Sequence, residues 1–154
     1  MNTIDGIRDF LGHKRLAIVG VSRGPKDFSR MLWREFRSRG YDAVPVNPEA
    51  EEIEGAPCFT RIQDVEPGVE DVLLMTSPAV TYAVVRDCAQ AGVKRVWMYR
   101  AGGRGAVSPE AIEFCEANGI SVIAGECPYM FFPKAGLLHR CHGLIRKITG
   151  AYPN

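Results

Sequence analysis

Three segments with helical spacing each run into a glycine, Gly40, Gly92 and Gly119, and each glycine stands just before a short apolar run. A glycine is a favoured helix stop, and a short apolar run bounded by turn residues reads as a strand buried on both faces. Strands that alternate with helices of roughly 12 residues need right-handed crossovers, which make the strands parallel and put helices on both sides. The predicted fold is α/β: a Rossmann-like, doubly wound parallel sheet in three layers.

The first unit is the clearest. RLAIVG, from Arg15 to Gly20, is the opening strand, and the turn GVSRGPKD follows it. Phe28, Leu32 and Phe36 then recur at helical spacing with Met31 beside them, while Arg30, Arg34 and Arg37 stay off that stripe. YDAVPVN is a second strand and EDVLLMTS a later one. Ser77 with Pro78, and again Ser108 with Pro109, place a capping hydroxyl before a proline at the first helical position. Lys94 to Met98 resumes strand, Ile112 and Cys115 share a helix face, and ISVIAG is the last strand. Pro45 is the local conflict, because a proline removes a ladder donor and belongs on an edge; a short strand near Pro57 to Phe59 is expected to pair only beyond it. Thr3 to Leu11 reads as a short helix. The tail CPYMFFPKAGLLHRCHGLIRKITG reads as an aromatic loop and an amphipathic helix, with Leu137, Leu138, Cys141, Leu144, Ile145 and Ile148 apolar. The expected layout is one domain over 1–154, with a core at 14–127 and the added loop and helix at 128–154.

Composition excludes several classes. No apolar run approaches the roughly 20 residues that cross a bilayer. With 19 Lys plus Arg against 18 Asp plus Glu, the net charge of +1 gives no global drive toward nucleic acid or an anionic membrane, so any anion site is local. The start MNTIDGIRDF carries acids and lacks a secretory pattern, so a cytoplasmic location is expected. The five cysteines show no C-x-x-C spacing, which speaks against a disulfide framework or a paired zinc site.

In an open parallel sheet, ligands sit outside the carboxyl ends of the strands, and the first strand flanks that crevice. Gly20, Val21 and Ser22 stand there, where backbone N–H groups and a following helix attract phosphate, with Arg23, Lys26 and Arg30 adding charge. The bland alternative is a turn merely shaped by Gly20 and Gly24, with three solvated cations. G-x-G-x-x-G is absent, and the second strand ends Val46, Asn47, Pro48 without a ribose acid, which disfavours NAD; no P-loop occurs either.

These residues resemble a family, the small CoA-binding proteins related to the CoA-binding domain of succinyl-CoA synthetase alpha subunits and acyl-CoA synthetases. The likeness runs from Lys14 to Cys127 and rests on the order of IVGVS, VPVNP, the Ser77–Pro78 pair, VW and Cys127. It implies a nucleotide-binding site for coenzyme A or an acyl-CoA across the sheet's carboxyl edge. Gly20, Val21 and Ser22 would hold the diphosphate, and Val46, Asn47 and Pro48 would line the adenosine end. Ser77 and Pro78 would border adenine and ribose, and Met98 and Tyr99 the pantetheine arm. One departure is Glu49, where relatives often carry a lysine suited to the ribose phosphate; Arg23, Lys26 or Arg30 would have to replace that charge.

Each position also has an ordinary explanation. Ser77 with Pro78 starts a helix without any ligand, Asn47 with Pro48 is a common turn pair, and Trp97 reads as core. Cys127, at a strand end, faces the crevice where a coenzyme sulfur would arrive. The glycine-rich AGGRGAVSP, with Arg100 and Arg104, is either a flap or a solvent loop. His139, Cys141 and His142 lie within one helical turn, but their spacing suits a core or crevice border better than zinc. Ligase relatives phosphorylate a histidine in a second domain and use an ATP-binding subunit, and neither fits in 154 residues. Binding without catalysis is therefore expected. Two other readings stay open: an NAD(P)-dependent oxidoreductase domain, and an interaction or assembly module that docks a partner protein or a second copy through the C-terminal segment.

Overall fold

The computed structural model describes residues 2–101, 103 and 105–133. Its elements run α1 (Ile4–Gly12), β1 (Arg15–Val19), α2 (Phe28–Ser38), β2 (Asp42–Val46), β3 (Glu52–Ile53), β4 (Ala56–Pro57), β5 (Asp71–Leu74), α3 (Pro78–Gln90), β6 (Arg95–Tyr99), α4 (Pro109–Ala117) and β7 (Ser121–Glu126). The predicted amphipathic helix of the tail lies outside the described residues, as do His139, Cys141 and His142.

All neighbours in the main sheet pair in parallel, in the order β2-β1-β5-β6-β7. The chain winds from β1 to β2 on one side, then returns to place β5 on the other. The strand order therefore reverses between β1 and β5, the position where open α/β sheets bind ligands.

The period of two in each strand builds two cores. Leu16, Ile18, Leu73, Trp97 and Ile123 face α1 and α2, where they meet Ile7, Phe10, Leu32, Trp33 and Phe36. Ala17, Val19, Val72, Leu74, Val96 and Met98 face α3 and α4, against Val85, Cys88, Ala111 and Cys115. That is the three-layer arrangement, and both tryptophans meet their polar demand inside it. Trp33 Nε1 donates to Ala43 O at 2.9 Å and Trp97 Nε1 to Glu126 O at 3.0 Å.

Pro45 sits on edge strand β2. Asn47 N–H, two residues on, points outward to Phe59 O at 2.9 Å, so the donor that Pro45 lacks also falls on the outward side. Phe59 bridges Val46 just past the proline, where the sequence places a short third pairing. On the opposite edge, the Asn2 carboxamide pairs with both backbone groups of Ala124, at 2.6 and 2.8 Å, and covers β7 there. Among the described residues no helix is long and apolar enough to cross a membrane.

Candidate functional site at the carboxyl edge of the sheet

Gly20 closes the first strand at the reversal point. Its φ is +96°, and a Cβ built there would lie 2.8 Å from Met75 O. Its N–H donates to Val46 O at 2.9 Å, while Met75 N–H donates to Val19 O at 2.8 Å. The ends of β1, β2 and β5 are thus drawn together around a residue with no side chain.

The corner beyond it is held from below. Val21 is fully buried, and its carbonyl accepts Asn47 Nδ2 at 2.8 Å. Ser22 N–H donates to Ser29 Oγ at 2.9 Å, and Ser22 Oγ accepts Gly24 N–H at 3.0 Å. Asp27 caps the start of α2, its side chain accepting Ser29 N–H at 2.9 Å. Helix periodicity leaves Arg30 on the solvent side, yet it is 6% exposed. Its guanidinium donates to Ser22 O and Arg23 O, at 3.0 and 2.9 Å, and pairs with Glu54 at 2.9 Å. Arg30 therefore shapes the corner instead of offering a free charge at its mouth. The Arg34 and Arg30 side chains hold the Glu54 carboxyl well below its ordinary value, at about 2.

Two cations remain on the open side. Lys26 is exposed, and Arg23 is exposed and pairs with Glu49 at 3.3 Å. Across the reversal point, Ser77 is exposed, and its carbonyl accepts the Val80 and Thr81 N–H groups. Its hydroxyl makes no cap bond, so it stays available at the mouth. Pro78 lines an open groove of about 570 Å³ with Ala79, Tyr82, Ser108, Glu113 and Phe114.

The two residues placed along a pantetheine arm part company. Met98 is fully buried in the core beneath α3 and α4, so its side chain lines no crevice. Tyr99, one residue on, turns to the other face and packs on Phe28 with ring centroids 5.4 Å apart; Phe28 meets Tyr129 at 5.8 Å. These three half-buried rings form a wall whose members lie far apart in the sequence. Burial, and then the neighbouring Cys127, push the Tyr99 hydroxyl up to about 12, so it stays neutral. Cys127 is 2% exposed and its thiol is pushed up by burial, which corrects the picture of a reactive sulfur facing the crevice.

The glycine-rich loop is cinched at its base. Ala106 N–H donates to Tyr99 O at 2.7 Å, and Thr81 Oγ1 donates to Ala106 O at 2.8 Å, joining the loop to the start of α3. Arg100 is exposed; Arg104 lies outside the described residues. Among the described residues no group of three His, Cys, Asp or Glu could hold a metal ion.

Residues 14–133 match the family model described as CoA binding domain. The chain belongs to this CoA-binding domain family. As a CoA-binding domain it is 25% identical over 114 residues to an uncharacterised Bacillus subtilis protein, YneT, covering 74% of this chain and 82% of that one. It is 30% identical over 96 residues to the ADP-forming acetate–CoA ligase II of Archaeoglobus fulgidus. That match takes in 60% of this chain and 14% of the ligase, so the CoA-binding domain spans a small part of that relative's length. Among solved structures, a hypothetical protein from Pyrococcus horikoshii superposes with a TM-score of 0.74 at 28% identity, covering 83% of this chain and 92% of that one. Every site position read from the sequence, Gly20 through Tyr99, falls within the CoA-binding domain's matched range.

Proposed function

We propose that this protein binds coenzyme A or an acyl-CoA along the carboxyl edge of its sheet, and that it does so as a binding module. The observation that carries this is Gly20, a residue with no room for a side chain, placed at the reversal between β1 and β5 in a chain of the CoA-binding domain family. The diphosphate lies against the corner from Gly20 to Ser22, with Lys26 and Arg23 on its open side. The adenosine lies between Asn47–Pro48 and Ser77–Pro78. The pantetheine arm runs along Tyr99, Phe28 and Tyr129, and Met98 contributes only by supporting β6 from within the core. A ligase named for acetate and CoA among the relatives supports the same ligand.

Calorimetric titration with CoA, acetyl-CoA, NAD and NADP tests the reading. CoA and acetyl-CoA are expected to bind and the nicotinamide cofactors to bind more weakly. Tighter binding of NAD than of CoA overturns it.

A further inference from the structure

The turn that follows β2 presents acceptors and almost no donors. Asn47 N–H is spent on Phe59 O at 2.9 Å, Pro48 has no N–H, and Glu49 N–H is spent on Asn47 Oδ1 at 2.8 Å. Ala50 N–H is spent on Asn47 O at 3.3 Å. One hydrogen of the Asn47 amide goes to Val21 O at 2.8 Å. What the turn offers outward is the Glu49 carboxylate, 69% exposed and paired with Arg23 at 3.3 Å, on a backbone whose N–H the Asn47 side chain holds.

Three of the cations around it are already paired. Arg30 is occupied by Glu54 and two carbonyls, Arg34 shares Glu54, and Arg23 faces Glu49 itself. Lys26, exposed on the α2 side, is left to meet the diphosphate. No acid closes the second strand itself, but Glu49 stands one residue past the Asn47–Pro48 pair. A carboxylate beside a ribose accepts from its hydroxyls, whereas a phosphorylated ribose calls for a cation. A phosphate is acceptor-only and doubly charged, so it gains no hydrogen bond from the backbone N–H groups of this turn and is repelled by its carboxylate.

We propose that the adenosine end of the crevice selects a ribose with free hydroxyls, Glu49 accepting from them, and so prefers dephospho-CoA to CoA. This rests on the CoA reading above and adds the substrate class of its adenosine half. It also makes Glu49 the residue that sets the preference, with Arg23 paired to its carboxylate.

The test is titration of the full chain with CoA, dephospho-CoA and NAD at low ionic strength, repeated on Glu49→Lys and Glu49→Gln. Dephospho-CoA is expected to bind about tenfold more tightly than CoA, Glu49→Gln to narrow that ratio and Glu49→Lys to reverse it. Both substitutions are at an exposed position, and matching thermal melts show that the fold is kept. CoA binding as tightly as dephospho-CoA, or a ratio untouched by Glu49→Lys, overturns the ribose proposal and leaves the CoA reading standing. NAD binding more tightly than dephospho-CoA overturns the CoA reading while the free-hydroxyl preference survives. No binding by any of the three overturns both.

Discussion

A Cβ on Gly20 would stand 2.8 Å from the carbonyl oxygen of Met75 and 3.0 Å from its carbon, across the line where the strand order reverses. Neither backbone can retreat freely, because Met75 N–H is bonded to Val19 O and Gly20 N–H to Val46 O. Gly20→Ala also forces a side chain into positive φ. The variant is expected to lose about 2 kcal/mol or more in urea unfolding. Gly24→Ala, whose nearest contact is Ser22 Oγ at 3.4 Å, serves as the control and should stay within about 1 kcal/mol of the parent. Equal losses for the two would show that the corner is not pinned at Gly20.

Arg30 braces this corner by capping two backbone carbonyls and one carboxylate from a nearly buried position. Arg30→Ala strips all three and is expected to cost about 3 kcal/mol. Glu54 gives the matching pH signature. Its carboxyl is lowered from 4.5 to about 2 in the folded chain, so its stabilisation is complete above pH 4.5 and is lost as pH falls toward 2. Urea midpoints of the parent should fall more steeply across that window than those of Glu54→Gln. Parallel curves would remove Glu54 from the account.

Ser77 separates a structural role from a binding role. A capping serine normally contributes about 1 kcal/mol, but this hydroxyl makes no cap bond. Ser77→Ala is therefore expected to change unfolding stability by less than about 0.5 kcal/mol and to weaken CoA about fivefold, the worth of one hydrogen bond. A large stability loss with unchanged affinity would assign the residue to the helix alone.

The thiols of Cys58, Cys88, Cys115 and Cys127 are buried, and burial raises each above its ordinary range, Cys115 to about 11. Alkylation of these four at mildly alkaline pH should be slow in the native protein and become fast with global unfolding. Peptide mass spectrometry reads each separately from Cys141. Rapid labelling of Cys127 in the folded protein would restore it as a reactive group at the crevice.

Much of the fold was legible because it depends on local chemistry. The glycine stops, the proline-led helix starts and the apolar strands each follow from the backbone preferences of single residues, and even Pro45 correctly announced an edge strand with a further pairing beyond it. The burial of α2 was read less well. Met31, beside the apolar stripe, is 48% exposed, whereas Arg30, off the stripe, is inside. A guanidinium can enter a corner that supplies carbonyls and a carboxylate, but Glu54 reaches it from a hairpin 24 residues along the chain, which no helical period encodes. Met98 shows a second limit. On a central parallel strand both faces are apolar, so alternation alone does not tell which of Met98 and Tyr99 turns toward the ligand side. The aromatic wall of Phe28, Tyr99 and Tyr129 joins three distant segments, and only the fold brings them together.

The placement of the ligand is tested most directly by following backbone amide resonances as CoA is added to the isotope-labelled chain. The largest shifts are expected at Gly20, Val21, Ser22, Arg23 and Ser77, with smaller ones at Tyr99. A cavity of about 320 Å³ lined by Thr3, Asp9, Arg95 and Ser121 lies by the opposite ends of β6 and β7. Shifts confined to those residues, with Gly20 to Arg23 unmoved, would contradict that placement.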